Sequence, residues 1–352
     1  MCESQYVVAS EAVAKSSTVS PTLSYWHHKL PMTPIPYALR ELISPLSSSE
    51  LLANLKEDDD QEKVAVSVGK GGVNLDAGKA KAKAKAKPAP GPKKPPKKPP
   101  PPGKRGVGVH VGDKGPFDYN YAASDDEIMG DPSLSSIFFF EKDLHSGAKV
   151  NLQFLERSSS RDSKVFFLPR RLAETIPFSS KKLPVALEKL NISQGSNKAV
   201  AMEQTLEECE TPAISGESKY CATSLESMID FSTSTVGTNN VNALATNVAK
   251  GQQYTITGFP FRSKSGSKSV ACHRQTYAYA VYYCHETEHT TTARVSLMGE
   301  DGSRGEGVAV CHTDTSAWNP EHLAFKVLNI KPGGAPVCHF IPNDHIVWLA
   351  AN

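Results

Sequence analysis

The chain has 352 residues and a formal net charge of +2, from 39 Lys and Arg against 37 Asp and Glu. Its length would fill two average domains, yet a biased central stretch withdraws from any core, so one folded unit with a long arm is expected. Eleven of the bases fall within Lys79–Arg105, which holds no acid, leaving 28 bases to face the 37 acids. A basic arm on an acidic body suits an extended polyanion, and no stretch is apolar enough to span a membrane as a helix.

The start, Met1 to Ser17, has no basic n-region and its apolar run is broken by Glu11, so no secretory leader is read there. Tyr25-Trp26-His27-His28-Lys29-Leu30-Pro31 and the Pro-spaced Thr33-Pro34-Ile35-Pro36 read as an extended entry to one short helix. That helix runs from Tyr37 to Leu52, with leucines at 39, 42, 46 and 51 and an interruption at Pro45. The N-terminal segment is thus residues 1–56.

Residues 57–115 form the arm. It passes from acidic residues through Val-Gly-Lys-Gly-Gly into alternating Lys-Ala and then Pro-Lys blocks. Such a composition cannot bury enough apolar surface to fold, so a disordered arm is expected, polyproline-like toward its end. Val66-Ser67-Val68-Gly69-Lys70-Gly71-Gly72-Val73 is echoed by Gly106-Val107-Gly108-Val109-His110-Val111-Gly112-Asp113, a weak two-copy repeat. Pro116-Phe117-Asp118-Tyr119-Asn120-Tyr121 follows at the mouth of the arm, where aromatic content alone favours a docking strand.

From Leu134 the texture changes. Ile137–Phe140, Val150–Phe154 and Val165–Leu168 read as short strands broken by Gly, Ser and Pro, and helical stretches are expected at Leu183–Leu190 and at Ser224–Asp230. The rest is mostly strand and turn. The fold class is therefore α+β, mainly β: a single C-terminal domain on a Cys-His framework.

Six of the seven cysteines, Cys209, Cys221, Cys272, Cys284, Cys311 and Cys338, lie in the last part of the chain, with Cys2 alone at the start. Six in one domain invite disulfides, with fifteen possible pairings. Asn191-Ile192-Ser193 is an acceptor for N-glycosylation. Four cysteines are followed by histidine: Cys272-His273, Cys284-His285, Cys311-His312 and Cys338-His339, a CH-x10-CH-x25-CH-x25-CH pattern. Strand-like residues precede three of them, Thr276–Tyr283, Gly307–Val310 and Ala335–Val337. Neighbouring side chains of a strand point to opposite faces, so the sulfurs gather on one side and the imidazoles on the other. Thiols there pair or hold zinc, while imidazoles suit copper, nickel or zinc. The bland alternative is disulfides with histidines filling polar positions. His289, His322 and His345 are near enough in sequence to assist a metal site, but as lone histidines without a motif they are expected at the surface, as Trp318 and Trp348 are expected in the core.

At these dipeptides the sequence resembles the BURP-domain family of plant proteins. The resemblance extends to Cys209-Glu210-Thr211-Pro212 with Gly216-Glu217-Ser218-Lys219-Tyr220-Cys221, to Phe167-Leu168-Pro169-Arg170-Arg171 with Ile176-Pro177-Phe178-Ser179-Ser180, and to Phe138–Leu144. The domain would then run over residues 132–352. Tyr25-Trp26, Leu30-Pro31-Met32-Thr33-Pro34 and the Val-Gly repeats resemble the dehydration-responsive subgroup. The family pattern, with the eleven residues between them across a Gly-containing turn, pairs Cys209 with Cys221. Some family members are copper-dependent peptide cyclases that crosslink a Tyr or Trp of a core peptide in their own chain. The resemblance makes His273, His285, His312 and His339 copper ligands converging on one site. It makes Tyr119 and Tyr121 the core-peptide candidates, although the Gln-first, Trp-last core of such enzymes is absent. It also implies a secreted, wall or vacuolar protein. The rival class is a non-catalytic structural or metal-binding protein whose basic arm binds acidic cell-wall polysaccharide. Nucleic acid ranks last, since the Lys run has no interleaved aromatics.

Overall fold

A computed structural model describes residues 20–44, 138–152, 165–264 and 266–351, with backbone alone at 66–69 and 72–75. The Lys79–Arg105 run and Pro116–Tyr121 lie outside the described residues. Within the arm, β1 (Val66–Gly69) and β2 (Gly72–Leu75) pair antiparallel, Val68 opposite Val73.

The N-terminal segment departs from expectation. Pro21–Lys29, which includes Tyr25 and Trp26, is a helix (α1), not an extended entry, with Pro21 in its first turn where a missing N–H costs nothing. The helix at Tyr37 (α2) stops at Arg40. Nor is the segment separate from the domain: Trp26 is fully buried, its ring 5.6 Å from that of Trp348. Its indole Nε1–H donates to the Thr33 carbonyl at 2.9 Å, so the polar edge of the ring is satisfied inside the core.

Two antiparallel sheets carry the domain. One holds β3 (Phe138–Phe139), β12 (Val337–Phe340), β11 (Arg304–His312), β10 (Thr290–Gly299), β7 (Gln252–Arg262) and β4 (Lys149–Leu152), in that spatial order. The other holds β5 (Glu217–Ala222), β9 (Tyr282–Thr287), β8 (Ser269–Arg274), β13 (Ile346–Ala350) and β6 (Val241–Leu244). A mainly β fold with interspersed helices is what the sequence implied. One expected strand is not formed and another, Thr276–Tyr283, is strand only at Tyr282 and Tyr283, where β9 begins. Val165–Leu168 is an irregular segment whose Phe167 N–H donates to the Leu42 carbonyl at 2.8 Å. Thr276–Val281 is a loop whose Tyr277 and Tyr279 are buried among Leu187, Met202 and Leu206. Alternating Tyr and Ala mimic strand periodicity, but here both aromatic rings enter one helical core.

The helices cover the sheets. The expected helices appear as α4 (Leu183–Leu190) and α6 (Leu225–Val236), alongside α3 (Arg170–Ala173) and α7 (Leu323–Leu328). α6 begins at Ser224, whose hydroxyl accepts from the Ser227 N–H at 3.1 Å, and ends at Gly237 with φ 84°. Its Leu225, Met228 and Ile229, at the spacing of one helical face, pack with Val270, Cys272, Cys284 and Trp348 of the five-stranded sheet. The helix at Asn197–Glu210 (α5) was not anticipated. Ser196 caps it, accepting from the Ala199 N–H at 3.1 Å, and it buries Ala199, Met202 and Leu206.

Pairing register fixes which side chains share a face. Residues directly opposite on adjacent strands point the same way. Ala271 stands opposite both His285 and Val347, and Tyr283 opposite His273, so these five share one face of the five-stranded sheet. In the six-stranded sheet Val310 stands opposite His339, and His312 lies two residues on from Val310 along β11. One apolar cluster joins Val347 and Leu349 of the first face to Val308 and Val310 of the second. The two histidine-bearing faces therefore look toward each other across a shared core.

Candidate functional site

The cysteines settle the geometry of the site. Cys272–Cys284 and Cys311–Cys338 are disulfides between residues directly opposite on neighbouring strands, with Cα atoms 3.9 and 4.0 Å apart. Cys209–Cys221, as expected, is the third, its Cα atoms 5.8 Å apart within the usual bridging range, and it ties α5 to β5. The first two sit in the apolar clusters on the outer faces of their sheets, so the following residue of each dipeptide turns into the space between the sheets.

All four imidazoles are buried there, His273, His285, His312 and His339 each at 5% exposure or less. They form two pairs. His273 Nε2 and His285 Nε2 are 3.1 Å apart, and the rings of His312 and His339 stack with centroids 5.6 Å apart. The pairs sense each other: His273 is held well below the ordinary imidazole range first by burial, then by His345, His285, His339 and His312. His312 is lowered likewise by burial, then by His339, His285 and His322. Burial lowers His339 to about 3. His273, His312 and His339 are therefore unprotonated at neutral pH, the state in which an imidazole can bind a cation.

Two of the histidines expected at the surface belong to the site. His345 is 8% exposed, and its Nδ1 lies 3.0 Å from His273 Nδ1. His322 is 4% exposed, its ring tilted against that of Trp318 with centroids 4.8 Å apart; its Nδ1 accepts from the Ala324 N–H, and burial lowers it to about 4. Lone histidines carry no periodic signal, so only the fold brings them in. His289 is exposed, as expected. Trp318 and Trp348 are core residues, as expected. Asn191 is exposed at the end of α4, with φ 56°. Tyr119 and Tyr121 lie outside the described residues.

Sequence reasoning also missed Glu217. On edge strand β5, its side chain is only 2% exposed. Burial raises its carboxyl, but the hydrogen bond from His285, with those from Ile214 and Tyr283, holds it below the ordinary carboxylate range.

The donor set suits a transition-metal ion. Two nitrogens bound to one ion at about 2.0–2.1 Å stand roughly 3 Å apart, the separation of His273 Nε2 and His285 Nε2. With these side-chain positions no group of three His, Cys, Asp or Glu among the described residues is close enough to hold a metal, so the four imidazoles are neighbours but not yet one coordination sphere.

The BURP domain family profile matches residues 137–350. The chain is 48% identical over 253 residues to BURP domain protein RD22 of Arabidopsis thaliana, covering 70% of this chain and 64% of that protein. It is 48% identical over 250 residues to BURP domain-containing protein 3 of Oryza sativa subsp. japonica, covering 69% and 57%. To Protein RAFTIN 1B of Triticum aestivum it is 38% identical over 224 residues, covering 62% and 61%. The chain thus spans less than two thirds of the length of each of these relatives.

Proposed function

The chain belongs to the BURP-domain family, its likeness to RD22 fitting the dehydration-responsive subgroup, and from that premise we propose that it is a secreted protein with a copper-capable histidine site that crosslinks a segment of its own chain. One observation carries the metal reading: the buried Nε2 atoms of His273 and His285 face each other at 3.1 Å, next to His312 and His339. Copper, when bound, supplies one-electron oxidation under imidazole ligation, which zinc cannot.

The protein's own residues supply the rest. Burial keeps His273, His312 and His339 unprotonated, and oxidation of Cys272, Cys284, Cys311 and Cys338 removes the thiols as competing ligands. The apolar contact of Val308, Val310, Val347 and Leu349 keeps water from the neighbouring space. Tyr119 or Tyr121 would be the residue crosslinked, presented in cis by the arm. Three disulfides call for an oxidising compartment, and exposed Asn191 suits glycosylation there, both in keeping with the wall or vacuole.

The test is the intact mass of the metal-free full chain before and after copper(II) is added in air, with fragment mapping. A loss of two hydrogens within residues 116–121, absent from H273A/H285A, is the expected result. Stoichiometric copper binding without that mass change would sink the cyclase, and absence of copper binding would sink the metal site.

The basic run Lys79–Arg105, eleven bases with no acid, favours a second reading, a non-catalytic module whose arm holds acidic cell-wall polysaccharide. Retention on an acidic polysaccharide column that is lost on removing Lys79–Arg105, with no copper binding, would select it.

A further inference from the structure

We propose that Glu217 is the positioning residue of the histidine site: by accepting from His285 Nδ1–H it fixes the tautomer and the ring plane that aim His285 Nε2 at His273. The proposal rests on the metal reading above for its consequence, but not for its geometry.

His285 Nδ1 lies 3.1 Å from Glu217 Oε1, with the two side chains 1% and 2% exposed. An ionised carboxylate has no proton to give, so the bond forms only if His285 Nδ1 carries one. That leaves Nε2 as the atom turned to His273 Nε2, 3.1 Å away. The carboxylate is itself held at both oxygens. Tyr283 Oη–H donates to Oε1 at 2.9 Å, and the Ile214 N–H donates to Oε2 at 3.0 Å.

Strand register places these groups together. Lys219 stands opposite His285 and Cys221 opposite Tyr283, so Glu217, two residues before Lys219, lies on the face of His285 and Tyr283 at the sheet edge. The Cys209–Cys221 disulfide fastens that edge strand to α5. Carboxylates that orient a ligating imidazole in this manner raise its basicity and fix its aim, and losing one costs about 10–100-fold in metal affinity.

Glutamine at this position is informative. If its carbonyl oxygen stays with the Ile214 N–H, its amide group faces Tyr283 and His285, and Nδ1 must become the acceptor. Glu217→Gln should therefore move the proton of His285 to Nε2, while Glu217→Asp keeps a carboxylate and should keep the Nδ1–H form.

The experiment is a long-range proton–nitrogen correlation spectrum of the full chain, metal-free, with nitrogen-15 histidine, followed by titration with copper(II). The expected results are an Nδ1–H signature for His285 in the parent and in E217D, an Nε2–H signature in E217Q, and copper binding about 10–100-fold weaker in E217Q than in the parent. A parent spectrum with the proton on Nε2 alone overturns the proposal, and it needs no variant to fold. An unchanged His285 signature and unchanged copper affinity in a folded E217Q overturn it as well. If the parent shows Nδ1–H but binds no copper, the positioning contact stands and the copper reading falls.

Discussion

Cys272 stands directly opposite Cys284, with Cα atoms 3.9 Å apart, and their disulfide fills the outer core of its sheet beneath α6 while His273 and His285 turn to the inner side. The same arrangement recurs at Cys311 and Cys338. The bridges and the histidines therefore have separable jobs, and the predictions below divide them.

Removing a bridge should cost stability more than site chemistry. Replacing Cys272 and Cys284 together by alanine, which leaves no buried free thiol, is expected to lower unfolding free energy by about 2–4 kcal/mol. Urea unfolding measures it, with nitrogen-15 histidine spectra showing whether His273 and His285 remain paired. A change below about 1 kcal/mol would mean that the bridge contributes little.

His273→Ala with His285→Ala should do the reverse, abolishing stoichiometric copper(II) binding in calorimetry while leaving the far-ultraviolet circular dichroism close to that of the parent. Parent-like copper affinity in that variant would place the metal elsewhere.

Acid should destabilise the metal-free protein before its carboxylates titrate. His322 and His339 are lowered to about 4 and about 3 by burial, against an ordinary value near 6.5 when unfolded. Between those limits the unfolded chain binds protons that the folded one refuses, so stability is present above pH ~6.5 and is lost as pH falls. Each such histidine contributes a slope of about 1.4 kcal/mol per pH unit within its window. Unfolding free energies at pH 7, 5.5 and 4.5 should fall in that order, and a flat profile contradicts the burial of neutral imidazoles.

Trp26 should behave as a residue of the domain core. Trp26→Ala removes a fully buried ring in contact with Trp348 and is expected to cost about 3–5 kcal/mol. The companion measurement is limited proteolysis. Cleavage is expected within Lys79–Arg105, whose composition supports no packed core. The released N-terminal fragment should still co-elute with the domain through α1, and its separation on gel filtration would show that the docking is weak.

The four Cys-His dipeptides, and the strand alternation that separates sulfur from imidazole, were legible because period-two geometry is local: it follows from neighbouring residues on any strand. The helices at Leu183 and Leu225 were legible for the same reason, their signals lying within a dozen residues, whereas the Cys209–Cys221 bridge rested on the family pattern as well as on a short separation. Strand pairing is not local. That Cys272 meets Cys284 and Cys311 meets Cys338, rather than any of the other pairings, is decided by register between β8 and β9 and between β11 and β12. Tyr277 and Tyr279 alternate like a strand yet fill a helical core, because burial of two aromatic rings outweighs a weak local preference. The capture of Trp26 by Trp348, the entry of His322 and His345, and the carboxylate of Glu217 behind His285 each join residues far apart along the chain. Sequence alone supplied the four imidazoles, and only the packing of one sheet on the other brought them together, since a face becomes an interior when a second face covers it.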